Sequence, residues 1–280
     1  MNYSLDQLMK EASKLPPIPQ AVRKALTIVN DPEVNLSSLA CVIETDQVLA
    51  AHVLRWANSA FYGVRNKVAT VHQAIVVLGN RNVQELIMTH SVSDQLNKPL
   101  PGYELRRGDL WQHALGTAIG AKLISQEHHL KFDEQAYFAG LLCDIGKLVF
   151  ERLLREVNIQ DPNLKQHSFL ELERAAFGID HARLGAEIAR LWQLPERLVD
   201  AIAHHHEPQA AENNSKLVAA VHVADVSMMM MGIGIGIDGL NYPLEEEALK
   251  SLNMTGNDLF ILVEKISEQL TKAKELINLG

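Results

Sequence analysis

Apolar positions along this chain recur mostly at intervals of three and four residues, the period of an α-helix that buries one face. The two-residue alternation of a half-buried strand is scarce. The pattern therefore predicts an all-α protein. A short amphipathic segment, Leu5 to Ser13, comes first. LPPIP follows at Leu15 to Pro19, a stiff extended stretch because proline fixes φ and pushes its predecessor out of the helical region. Gln20 to Asn30 then carries Val22, Leu26 and Val29 on one face until Asp31-Pro32 ends it. A helix from Asn35 through Leu39, Val42 and Ile43 and a second one capped by Asp46 make a pair resembling a helix-turn-helix. Only His52 and Arg55 on the second offer themselves to a groove, so simple packing outweighs DNA reading. Two further helices, Val71 to Leu78 and Val83 to His90, flank Gly79-Asn80.

The proline- and glycine-containing stretch Lys98 to Gly108 is the best candidate boundary between two lobes, residues 1–100 and 101–280. Beyond it, Asp109 is placed to cap a helix, with Gln112 completing a capping box. His113 shares a face of that helix with Leu110 and Thr117, while Gly116 and Gly120 would let another helix approach closely. Glu134 to Leu142 leads into the string CDIGK. Val149 to Gln166 reads as a long surface helix and loop. On Phe169 to Phe177 the carboxylates Glu171 and Glu173 look solvent-facing. Asp180 caps a helix beginning at His181, and Pro195 opens one that ends in His204-His205-His206-Glu207. Glycines from Gly232 to Gly239 predict a flexible loop. An amphipathic helix with Leu259, Val263, Ile266 and Leu270 closes the chain.

Composition changes this picture little. The 280 residues are 47% hydrophobic and 21% charged, as in ordinary globular proteins. Twenty-six Lys plus Arg against 34 Asp plus Glu gives a net charge of -8, which repels nucleic acid and anionic lipid in the absence of a basic patch. Two cysteines, Cys41 and Cys143, and no signal peptide predict reduced thiols in a cytoplasm. Leu217 to Ile237 is nearly all apolar, yet a carboxylate at its middle, Asp225, would cost roughly 2.5–3.5 kcal/mol in a bilayer. A buried helix running into a loop is the better reading.

The candidate chemistry lies in the second lobe, where His113, Asp144, His181, His205, His206 and Asp225 fall at the ends or inner faces of helices. Mixed imidazole and carboxylate donors suit a divalent transition metal such as Fe, Mn or Zn. Register puts His205 three and seven positions after Ile202 and Leu198, facing the core, and His204 four after Asp200, facing out. His222 and Asp225 share a face and could hydrogen-bond each other. Single buried histidines are usually satisfied core residues. Asp225, however, has no Lys or Arg within two turns and needs a partner or a cation. Asp144 has the same need, with Lys147 in reach.

GLLCDIGK, Gly140 to Lys147, resembles the GLLHDIGK signature of HD metal-dependent phosphohydrolases in all but one residue. Together with LPPIP, DQVLAAHVLRWANSAFYG from Asp46, VHQAIVVLG from Val71, WQHALGTA from Trp111, GIDHARLGAEIARLW from Gly178, LPERLVDAIAHHHEP from Leu194 and HVAD from His222, it makes the chain similar to the HDOD family. HDOD is the HD-related output domain of bacterial signalling proteins, and the match runs over about residues 15–225. The resemblance implies an N-terminal helical lobe packed on an HD-like helical domain, and regulation more often than catalysis. By position, His113, Asp144 and Asp225 match HD ligands. His181, His205 and His206 match positions that complete a two-metal site in HD-GYP phosphodiesterases. Cys143 replaces the usual ligand histidine, and as a softer, shorter side chain its simplest role is a small buried hydrophobe.

The expectation is a non-catalytic signalling module with a degenerate HD site, acting on a protein partner or a small nucleotide ligand, without nucleic acid or membrane. The alternative is a metal-dependent phosphohydrolase in which Asp144 and the other donors hold the ion and Lys147 holds a phosphate.

Overall fold

The computed structural model describes residues 3–28, 36–155, 168–236 and 242–278. Among them the backbone is helical, with one isolated antiparallel bridge between Leu100 and Leu105 and no strand. In chain order the helices are α1 Leu5–Ala12, α2 Gln20–Ile28, α3 Leu36–Glu44, α4 Gln47–Ala57, α5 Val71–Leu78, α6 Asn80–Leu96, α7 Asp109–Glu127 and α8 Asp133–Leu142. They continue with α9 Lys147–Leu154, α10 Phe169–Phe177, α11 His181–Leu191, α12 Glu196–His204, α13 Ser215–Met230, α14 Glu246–Ser251 and α15 Gly256–Asn278. Two compact units result: Met1–Pro16 with Asp94–Leu270, and Pro17–Ser93 with Thr271–Gly280.

The smaller unit holds α2 to α6 around buried Leu39, Ile43, Val53, Trp56, Ile75 and Ile87. The Asp46 carboxylate caps α4 by accepting from the Val48 and Leu49 N–H groups at 3.0 and 3.1 Å. Asn58 closes the loop after α4 by bonding both the N–H and the carbonyl of Val68 at 2.8 Å. His52 does not stand out as a groove contact: its ring lies 3.9 Å from that of His90 and 5.8 Å from that of Trp56. Asn35 and the Asp31-Pro32 stop lie outside the described residues.

In the larger unit α7 packs along α8 and α13, and α11 pairs with α12. Gly116 and Gly120 make the close approach possible, the first against Met228 and the second against Ala224 and Ile266. The tightest junction is at Gly146. Its φ of -62° needs no glycine, but any Cβ there would overlap the main-chain carbonyl of His181 at the start of α11. The glycine is required by this close approach, not as a helix breaker.

Two sequence expectations fail here. Asp109 is the first residue of α7, not its cap. The preceding Gly108 has φ 88° and no side chain caps the helix, because the Asp109 carboxylate turns back to accept from the Arg106 N–H at 2.8 Å. Nor is the segment after Lys147 a surface helix: Val149, Phe150, Leu153 and Leu154 are buried, with Phe150 stacked on Phe177 at 4.8 Å. Residues 156–167, the rest of that expected segment, lie outside the described ones. The apolar stretch around Asp225 is the buried helix α13, and among the described residues no helix is long and apolar enough to cross a membrane.

Gly146→Ala should destabilise the protein by about 3 kcal/mol, because a rigid backbone must yield. Gly116→Ala should cost only about 1 kcal/mol, since the flexible Met228 thioether can move aside. Urea titration of the two variants checks the difference.

Candidate metal centre

Six donors from five chain segments meet inside the larger unit. Asp144 sits in the turn between α8 and α9, held because the Lys147 N–H bonds the Asp144 carbonyl at 3.0 Å. His113 comes from the first turns of α7 and Asp225 from the middle of α13. His181 opens α11, whose N-terminus is capped by the Asp180 carboxylate accepting from the Arg183 N–H at 2.9 Å. His205 and His206 follow α12 directly. Ligand atoms of Asp144, His181, His205 and His206 all lie within 4.8 Å of one another, and so do those of His113, Asp144 and Asp225. Asp144 belongs to both groups.

Hydrogen bonds aim most of the rings. His205 donates Nδ1–H to the Ile202 carbonyl at 2.8 Å, which leaves Nε2 facing Asp144 Oδ1 at 3.9 Å. His181 donates Nδ1–H to Glu173 at 2.8 Å. Its Nε2 lies 2.9 Å from His206 Nε2 and 3.2 Å from Asp144 Oδ1. His113 donates Nδ1–H to the Ile233 carbonyl at 2.8 Å, and its Nε2 meets Asp225 Oδ1 at 2.7 Å. Lys147 Nζ reaches Asp144 Oδ2 at 2.9 Å.

Burial disfavours charge on every one of these groups, and the neighbours decide the outcome. Burial would raise the Asp144 carboxyl, but Lys147, then His181 and His113, hold it well below the usual carboxylate range. Asp225, buried likewise, is lowered by His113. Burial works against a charged His181, yet Glu173 and Asp144 outweigh it and push the ring up to about 9. Burial, with His205 and His181 beside it, keeps His206 well below the ordinary imidazole value and so neutral.

The donors fit a metal ion. Asp144 Oδ1, Asp225 Oδ2 and His205 Nε2 are buried with no hydrogen-bond partner, and all three belong to residues of the two clusters. Unsatisfied buried acceptors that converge are what a cation relieves. Imidazole with carboxylate suits a first-row transition ion.

The chain matches the HDOD domain family over residues 15–208. It belongs to that family. In an HDOD domain protein with unknown function from Geobacter sulfurreducens the same fold covers 99% of both chains, at 26% identity and TM-score 0.74. A protein from Shewanella amazonensis SB2B, provisionally named a phosphohydrolase, covers 97% of both at 26% identity and TM-score 0.71. A Marinobacter aquaeolei VT8 protein, provisionally named for signal transduction, has TM-score 0.78 at 20% identity, over 98% of this chain and 65% of that one. An uncharacterised protein of Treponema pallidum (strain Nichols) is 29% identical over 233 residues, 79% of this chain. This chain spans 44% of that relative's length.

In this HDOD chain the Cys143 thiol belongs to neither donor group. Cys143 is buried, and its Sγ–H donates to the Gly140 carbonyl at 3.3 Å. Burial raises its pKa well above the ordinary thiol value, so it stays protonated. His222 does not pair with Asp225: its Nδ1–H goes to the His205 carbonyl at 2.8 Å, and its Nε2 accepts from the Glu245 N–H at 3.0 Å. His204 points outward, 3.7 Å from Asp200.

Three partners of the centre were not read from the sequence. Glu173, expected to face solvent, is fully buried and accepts from Tyr103, 70 positions away, and from His181 at the start of the next helix. Tyr242 stacks on His206 at 5.0 Å. The strap after α13 lies on His113, with Gly234 at φ 69° and so close that any side chain there would overlap the ring's Cβ. The glycine run therefore covers the centre up to Gly236; Gly239 lies outside the described residues. Beneath it remains a cavity of about 20 Å³, lined by Tyr103, His113, Lys147, Phe169, Gly234 and Tyr242 among others, room for about one water.

Asp144→Asn should abolish retention of a transition ion after soaking and desalting, because Asp144 serves both groups. Cys143→Ala should keep the wild-type ion content while losing about 1 kcal/mol of stability through the small cavity it leaves. Elemental analysis and denaturant titration of both variants check this.

Proposed function

We propose that this HDOD chain is a non-catalytic signalling module that holds one or more divalent transition ions, Fe, Mn or Zn, in an enclosed centre, and that it signals by binding a protein or a small nucleotide on its helical surface. Enclosure is the observation that carries the reading. Gly234 of the strap lies on His113 and Tyr242 on His206, and the space bounded by His113, Lys147, Gly234 and Tyr242 is about 20 Å³, whereas ligand sites occupy roughly 300 Å³ or more. So small a space beside His113 and Lys147 supports holding an ion over admitting a phosphate ester. His113, Asp144, His181, His205, His206 and Asp225 are the residues that would hold the ion, and in their setting it neutralises two buried carboxylates. A groove of about 300 Å³ bounded by α11 and α12 lies apart from the centre. Arg183, Arg190, Glu196, Asp200 and Asn214 line it, giving a ligand both signs of charge to meet.

The second reading is a metal-dependent phosphohydrolase. The two groups of converging donors that share Asp144, and the ammonium of Lys147 beside that carboxylate, favour it. A bound ion would there lower the pKa of a water and polarise a phosphoryl group. Lys147 would turn from Asp144 to the phosphate.

Assays of generic phosphodiesters and nucleotides with added Mn, Fe or Zn separate the two. The proposal expects no turnover above the level of an Asp144→Ala variant. Robust hydrolysis that vanishes in that variant overturns it in favour of the hydrolase.

A further inference from the structure

We propose that Glu173 is a positioning residue of the centre, the carboxylate that presets His181 to offer its Nε2 lone pair to a metal ion. The inference rests on the metal-holding reading above. Glu173 is wholly buried on α10 and grips His181 at two points. It accepts from the main-chain N–H at 2.6 Å and from Nδ1–H at 2.8 Å, while the Tyr103 hydroxyl donates to its other oxygen at 2.5 Å.

Capping does not account for this arrangement. The N-terminus of α11 already has a side-chain cap in Asp180, and a cap has no use for the imidazole. What Glu173 adds is a charged acceptor on Nδ1–H. With that proton committed, the one a metal ion displaces is on Nε2, and the ring then presents its lone pair there. Nε2 is the atom that points to His206 and Asp144 at 2.9 and 3.2 Å. His113 and His205 are aimed by the neutral carbonyls of Ile233 and Ile202. Of these three rings only His181 is backed by a carboxylate, which also makes its lone pair more basic. Glu173 thus aims His181 and strengthens it as a donor.

The test uses the full chain with Co²⁺ as probe, followed by its visible absorption, alongside thermal unfolding without added metal. Glu173→Gln, nearly the same shape without the charge, should bind Co²⁺ about 10–100-fold more weakly and with an altered visible band. Glu171→Ala serves as control: Glu171 is exposed and closes the Ser168 capping box of the same helix, so its loss should lower stability and leave the affinity unchanged. A Glu173→Gln protein that melts earlier yet binds Co²⁺ as the wild type does would reduce Glu173 to a structural group and overturn the proposal. Long-range proton–nitrogen correlation on the Zn²⁺-loaded wild type gives the His181 tautomer directly, so the proposal stays testable even if the variant does not fold. Nδ1–H with a metal-bound Nε2 is expected, and an Nε2–H ring refutes it. Wild type that takes up neither Co²⁺ nor Zn²⁺ fails at the earlier step and removes the metal-holding reading together with this inference.

Discussion

A carboxylate in the middle of an apolar core is the constraint around which the larger unit is built. Asp144 is 1% exposed, and removing its charge from water costs several kcal/mol unless opposite charge surrounds it. Lys147 supplies part of that charge from the next turn. The rest comes from imidazoles on α7 and α11, which must therefore be brought within 4 Å. The same need recurs at Asp225, met by His113 at 2.7 Å. Helices that would otherwise be free to slide along their apolar faces are pinned in register by these pairs.

Close backbone approach makes the pinning possible. Gly146 lets the Asp144 turn reach the start of α11, Gly116 and Gly120 let α13 come down on α7, and Gly234 lets the strap touch His113. Each contact brings a polar group to the centre from a segment remote in sequence. The result is an ion-ready cluster that is closed on its outer side. An ion held there would gain stronger interactions from the low-dielectric setting than it has in water.

Glu173 and Cys143 show how position along a motif and orientation in space separate. The sequence resemblance sets Cys143 among the candidate donors, while its thiol bonds the Gly140 carbonyl one helical turn earlier. Glu173 stands on an apparently amphipathic helix beside Glu171, and the two carboxylates take opposite fates. Glu171 stays in water on the Ser168 cap, while Glu173 is drawn inward by Tyr103 and His181.

Local rules made much of this legible in the chain alone. Helical period located Val71 to Leu78 and the buried helix through Asp225. The cap at Asp180 and the spacing of His205 from Leu198 and Ile202 oriented two donors, since both depend on neighbours within two turns. Tertiary structure alone decided the partners: Asp225 with His113 rather than His222, Glu173 inward rather than outward, and the glycine run packed on the centre. The physical reason is common to all three. A buried polar group takes whichever complementary atom the folded chain brings within 3 Å, and for these groups that atom lies on a separate segment, beyond the reach of any periodicity.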